Sequence, residues 1–176
     1  NDSPTVTGLP SDITVTEDVA GNVDLSSATF ADVDGDALTV TLATSAGTLA
    51  ATSGGGVTIG GSGTGTLTLA GTAANINTYL NTTSNVQYTG AANANGNDAA
   101  TLTINVNDGT VNPQLGTVNI DITSVNDAPV ASNVAFTGTW EVGELLTGSY
   151  DYSDVESNPE SGTTFKWYRY DASSGT

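Results

Sequence analysis

Leu102-Thr103-Ile104-Asn105-Val106, running into Asn107-Asp108-Gly109, sets an aliphatic side chain at every second position and then stops at a turn dipeptide. A period of two belongs to a β-strand with one buried and one wet face. The pattern recurs outward in both directions. Ile13-Thr14-Val15-Thr16, Leu38-Thr39-Val40-Thr41-Leu42 and Leu67-Thr68-Leu69 precede it, and Val118-Asn119-Ile120-Asp121-Ile122 follows. Such strands, bounded by Gly, Asn and Asp, are expected to pair antiparallel over a shared core. One segment departs from this. Ala73, Ile76, Tyr79 and Leu80 recur at helical spacing between Thr72 and Asn81, which predicts a short helix with Thr72 as its cap. Gly54-Gly55-Gly56 and the run from Gly60 to Gly65 predict turns or bulges.

Charge is the second strong signal. The 176 residues carry 19 acids and two bases, for a formal net charge of −17. Both bases, Lys166 and Arg169, fall near the C-terminus, so residues 1–165 contain no positive side chain to neutralise their acids. Two carboxylates ~4 Å apart repel by about 1 kcal/mol in water and by more near a protein surface. Clustered acids therefore need distance or a bound cation. The same charge repels nucleic acid and anionic lipid, which removes both as partners. Cys, His and Met are absent, which rules out a disulfide framework and the usual zinc, haem and iron–sulfur ligand sets. The composition is that expected of a bacterial extracellular protein that relies on Ca²⁺. With no signal-like stretch and no long apolar run, the expectation is a segment of a longer chain, without its own anchor.

A composition break marks a domain boundary. Residues 1–129 hold three aromatics and residues 130–176 hold eight: Phe136, Trp140, Tyr150, Tyr152, Phe165, Trp167, Tyr168 and Tyr170. We therefore expect a first β-sandwich domain over 1–129 and a second, incomplete one over 130–176. The 47 residues of the second would supply about three strands around a separate core, with Trp167 packed inside. Asn126-Asp127-Ala128-Pro129 at the boundary repeats the Asn1-Asp2-Ser3-Pro4 that opens the chain.

Read in order, residues 1–130 resemble a cadherin repeat. Ile13-Thr-Val15-Thr-Glu17-Asp18 matches its opening strand and Glu, and Ala31-Asp32-Val33-Asp34-Gly35-Asp36 its internal acidic motif. Leu102 to Gly109 matches the late strand ending in Asp-x-Gly, and Val118 to Pro129 the last strand and linker. The Gly/Thr-rich stretch and helix at 52–82 are similar instead to the cadherin-like repeats of giant bacterial RTX-type adhesins. From Ala131 to Arg169 the chain resembles the start of a bacterial Ig-like module. The resemblance implies an all-β, antiparallel Greek-key β-sandwich with one short helix. It also implies Ca²⁺ between successive domains. Its linker-proximal ligands would be Glu17, Asp98, Asn126 and Asp127, and the opposite group Asp32, Asp34 and Asp108, facing Asp2. Asp154 and Glu156 take the places of Asp32 and Asp34 in the second domain. Ser124 stands where the cadherin linker has its first Asp, so one or two ions per junction are expected.

Elementary chemistry runs alongside the resemblance. Ca²⁺ takes six to eight oxygens, and Asp32 and Asp34 project to the same side of an extended backbone. Asp32, Asp34 and Asp36 could instead form only a polar turn, though no nearby cation balances three acids there, and Asp108 could simply shape the turn at Gly109. The acidic motif is no EF-hand, because Gly35 falls at the fourth loop position and Ala43 stands where the last Glu is needed. Catalysis has little support without His or Cys, and no enzyme activity is expected. The sequence thus points to a calcium-stabilised tandem-repeat segment of a secreted or surface-anchored adhesin. Its partners would be neighbouring repeats, and glycans or proteins of a host or biofilm surface. The alternatives are a lectin-like module using exposed aromatics such as Tyr168 and Tyr170, and a filament subunit completed by a neighbour's strand.

Overall fold

Each alternating stretch becomes a strand whose aliphatic residues all turn to one side. In the computed structural model, which describes residues 1–168, the chain divides into two compact units, one spanning Asn1–Val125 and one beginning at Asn126. Arg169 and Tyr170 lie outside the described residues.

The first unit is a two-sheet sandwich. Its larger sheet has six strands: β2 (Asp12–Thr16), β5 (Ala37–Thr44), β7 (Thr58–Gly60), β8 (Thr66–Thr72), β10 (Gly96–Asn107) and β11 (Gln114–Thr123). Their spatial order is β2-β11-β10-β5-β8-β7. The smaller sheet orders β3 (Gly21–Asn22), β9 (Val86–Thr89) and β6 (Thr48–Ala51) as β3-β9-β6. A separate pair joins β1 (Thr5–Thr7) to β4 (Thr29–Ala31). From β9 in one sheet the chain crosses to β10 in the other, between β11 and β5, as a Greek key requires. Pairing is antiparallel except between β2 and β11, which run parallel with Ile13 opposite Ile120 and Val15 opposite Ile122. That pairing puts two aliphatic pairs on the core face without a hairpin.

Between the sheets lie Ile13, Val15, Leu38, Val40, Leu42, Leu67, Leu69, Leu102, Ile104, Val106, Val118, Ile120 and Ile122, met by Leu49, Val86 and Tyr88 from the smaller sheet. Burying each such side chain contributes about 1.5–3 kcal/mol, so these strands hold the unit together. Helix α1 (Ala73–Leu80) closes one side of the core, with Ile76, Tyr79 and Leu80 buried. Thr72 caps it by accepting the Asn75 N–H, and Asn81 ends it, as the sequence predicts.

Direction matters for the site. β10 begins where β11 and β2 end and finishes where β5 begins. We call the end with Thr16, Thr123 and Gly96 the trailing end, and the end with Asn107 and Ala37 the leading end. The 12 residues of β10 set them roughly 35–40 Å apart, at about 3.3 Å per residue.

The second unit contributes β12 (Val130–Thr137) and β13 (Thr147–Ser153), paired antiparallel with a bulge between Ser132 and Ala135. Two strands, rather than the expected three, are formed among the described residues. Their aromatic side chains do not close a core. Trp167, expected inside, is 50 % exposed and meets Phe136 edge-on at 6.1 Å, while Trp140 is 70 % exposed and 4.8 Å from Phe136. A two-stranded ribbon has too little area to sequester both faces of its side chains.

Candidate metal centres

At the leading end, the chain between β4 and β5 turns sharply at Gly35, whose φ of +75° suits glycine. This turn folds Asp32, Asp34 and Asp36 back on one another. Asp32 Oδ1 accepts the Asp34 N–H at 3.0 Å and the Asp36 N–H at 3.2 Å. Its other oxygen, Oδ2, is buried and accepts no hydrogen bond. One carboxylate oxygen from each of the three acids lies within 4.8 Å of the other two. Oxygens across a single Ca²⁺ stand about 4.6–5.2 Å apart at 2.3–2.6 Å per bond, so the spacing fits one ion shared by all three. Lone carboxylates this close repel, and no salt bridge forms among the described residues to offset that. The polar turn is thus formed, with one oxygen of Asp32 building it and the other left over.

Two more predicted residues meet this end differently. The Asp2 backbone N–H donates to Asp34 Oδ2 at 2.5 Å, so the opening segment is tied to the acidic turn. Asp108 is buried, and both its oxygens are engaged. Oδ1 accepts the Thr110 and Val111 N–H groups at 2.7 and 2.8 Å, and Oδ2 accepts from the Asn1 side chain at 3.0 Å. The Val111 and Thr110 N–H groups, in that order, hold its carboxyl below the usual Asp range. Asp108 therefore builds the loop between β10 and β11.

Glu17 stands at the trailing end, one residue past β2, and is 1 % exposed. Its Oε1 accepts the Val125 N–H, and its Oε2 accepts from the Asn95 side chain at 3.1 Å. Asp18 follows with a left-handed φ of 59° and accepts the Asn93 N–H at 3.1 Å. Glu17 thus clamps the last residue of the first unit to the β9–β10 loop.

Asp98 does not join Glu17. It sits in the bulge that opens β10, at φ 52°, where its backbone N–H donates to Asp121 Oδ1 at 2.8 Å. The structure groups it with Asp12 and Asp121, whose carboxylates approach within the same 4.8 Å. Asp12 and Asp121 escape the sequence reading because they sit on separate strands. Only the parallel β2–β11 register, with Asp12 opposite Asn119 and Thr14 opposite Asp121, makes them diagonal neighbours. The signal available was an Asp at an outward position of each alternating strand.

In the second unit, four predicted residues come together. Asn126 Oδ1 accepts from the Asn158 side chain at 2.8 Å, and the Asp127 N–H donates to Glu156 Oε2 at 3.1 Å. Asp154 Oδ1 accepts the Asn158 N–H at 2.8 Å and so shapes the turn after β13. Carboxylate oxygens of Asp127 and Glu156 lie within 4.8 Å of each other.

No family model matches the sequence, and neither curated proteins nor solved structures give a match. Function therefore rests on the residues themselves.

Proposed function

We propose that the chain is a calcium-stabilised extender from a secreted or surface-anchored bacterial adhesin, a cadherin-like repeat followed by the start of an Ig-like module. Ca²⁺ held by acids at the ends of each repeat offsets carboxylate repulsion and restricts the swing between consecutive repeats, stiffening the stalk. The observation that carries this reading is Asp32 Oδ2, a buried carboxylate oxygen without a hydrogen bond, inside a three-acid turn spaced for one Ca²⁺. Leaving such an oxygen unsatisfied costs more than leaving a neutral one, and a bound cation removes that cost. Asp34 and Asp36 supply further oxygens, and Asp2 lies beside them. Glu17, Asn126, Asp127 and Glu156 are the corresponding candidates around the linker.

Calorimetric titration of the whole chain with Ca²⁺ tests this directly. Heat of binding is expected, and the double variant Asp32→Asn, Asp34→Asn loses part of it while keeping its β-type circular dichroism. Absence of any heat sinks the reading. Solution scattering of Asp127→Ala addresses the linker. A broader distribution of interdomain distances with calcium present is the expected result, and an unchanged one removes Asp127 from the mechanism.

A further inference from the structure

The 19 acids are not spread evenly along the chain. Between Asp36 and Asp98 there are 61 residues without a single Asp, Glu, Lys or Arg. This stretch forms β5 to β9 and α1, divided between the two sheets, so the face presented by β6, β9 and α1 carries no charged side chain of its own.

Two clefts open on that face. One, of about 300 Å³, is lined by Ala50 and Ala51 of β6 together with Ser62, Ser84, Asn85 and Gln87. The other, of about 400 Å³, lies between Ser53, Gly54 and Gly55 on one side and Thr78 and Thr82 on the other. Both share Thr52, Tyr79 and Asn85. These three form a fixed rib, in which the Tyr79 hydroxyl donates to Thr52 O at 2.8 Å and the Asn85 amide donates to Tyr79 O at 2.8 Å. The opposite wall is also held. Ser62 Oγ accepts the Ala51 N–H at 3.1 Å, and Gly61, at φ +75°, brings its α-carbon so close to Thr66 O that a Cβ there would lie 2.1 Å from it. Hydrogen-bonding capacity is left over between the walls. The Gln87 amide, the Ser84 hydroxyl and Asn85 Oδ1 make no hydrogen bond among the described residues.

The geometry points to a neutral oligosaccharide site formed by these adjoining clefts. While Ala51 faces the core, the Ala50 methyl, turned outward beside its cross-strand partner Gln87, offers a small apolar contact for the C–H face of a hexose ring. Gln87, Ser84 and Asn85 offer both donors and acceptors at its edge, which suits hydroxyls that act as both. Two clefts across one rib accommodate successive sugar units rather than a single ring. Each volume is near the lower bound for ligand sites, so binding is weak and gains from repetition along a tandem array. An anionic sugar is disfavoured, because the lining holds no cation and the chain as a whole carries −17. No carboxylate lines either cleft, so binding there does not depend on calcium.

Nuclear magnetic resonance titration of the whole chain tests the assignment, with maltotriose, cellotriose, mannotriose and chitotriose as neutral probes and trigalacturonate as the anionic one. At least one neutral trisaccharide is expected to shift amides of residues 50–53, 62 and 82–87, with trigalacturonate inert. Gln87→Ala, an outward-facing change, is expected to weaken that binding about tenfold. The assignment is overturned if no neutral probe moves these amides at tens of millimolar. Shifts that follow protein concentration instead of sugar also overturn it, since they mark contact between copies of the chain. Repeating the titration in chelator, with circular dichroism showing the fold intact, separates this site from the metal centres. Binding that vanishes with the ion would overturn its placement on the charge-free face.

Discussion

Glu17 and Asp108 are both buried acids, and each serves as a local backbone organiser at opposite ends of the first unit. Glu17 joins Val125 to Asn95. Replacing it by Ala leaves the Val125 N–H without its acceptor, while the exposed Asn95 amide keeps a longer bond to Asn93 O at 3.4 Å, and should cost about 1–2 kcal/mol of stability in urea denaturation under chelator. Glu17→Gln should cost less, because a flipped Asn95 amide can present its oxygen to the new donor. Asp108 makes a prediction in pH. Its folded form holds the proton less tightly than the unfolded chain does, because Val111 and Thr110 donate to its ionised carboxylate. The resulting stabilisation is fully present above about pH 5 and is lost as the pH falls through the ordinary Asp value of 3.8 toward the depressed one. The stability difference between the wild type and Asp108→Asn, measured by denaturation at stepped pH, should therefore be flat at neutral pH and shrink in acid. The position of Glu17 just past a strand was legible from the alternation before it. The engagement of Asp108 with Asn1 was not, since those residues are far apart in sequence.

At the scale of elements, α1 shows what periodicity reveals and what it leaves out. Its limits, its Thr72 cap and its buried Ile76, Tyr79 and Leu80 all follow from spacing along the chain. The link from α1 to β4 does not. Asn77 accepts the Phe30 N–H at 2.9 Å through Oδ1 and donates to Phe30 O at 2.9 Å through Nδ2, completing the pairing of an edge residue as a second strand would. Thr72→Ala removes one cap and should cost about 1 kcal/mol. Asn77→Ala strands both backbone groups of Phe30, so the expected loss is larger, about 2 kcal/mol. Chemical denaturation of the two variants gives the ranking, and the reverse order would mean that the cap, not the cross-link, secures the helix. The grouping of Asp98 with Asp12 and Asp121 was hidden for a related reason. Alternation says which face a residue occupies, but only strand order and register say who its neighbours are.

Across the whole molecule the charge is both extreme and segregated, which separates two effects that a single melting experiment would confuse. Any salt screens repulsion among 19 acids, with a Debye length of about 10 Å at 0.1 M, so sodium chloride alone should raise the unfolding temperature. The first unit's acids are not all equal under that screening. Those of the Asp32 turn lie within 4.8 Å of one another, well inside the Debye length, where diffuse counterions act least. A directly coordinated ion would act there instead, and its stabilisation would grow as RT ln(1 + [Ca²⁺]/Kd), about 2.7 kcal/mol at a hundredfold excess. Melting should thus be compared in sodium, magnesium and calcium chloride at matched ionic strength. Calcium is expected to raise the midpoint above both others, because Mg²⁺ demands a tighter octahedron and sheds water reluctantly. In Asp32→Asn, Asp34→Asn that extra increment should fall while the sodium effect stays nearly whole. Equal curves for all three salts would mean the acids act only as a diffuse field, and the stiffening role for calcium would fall with that result.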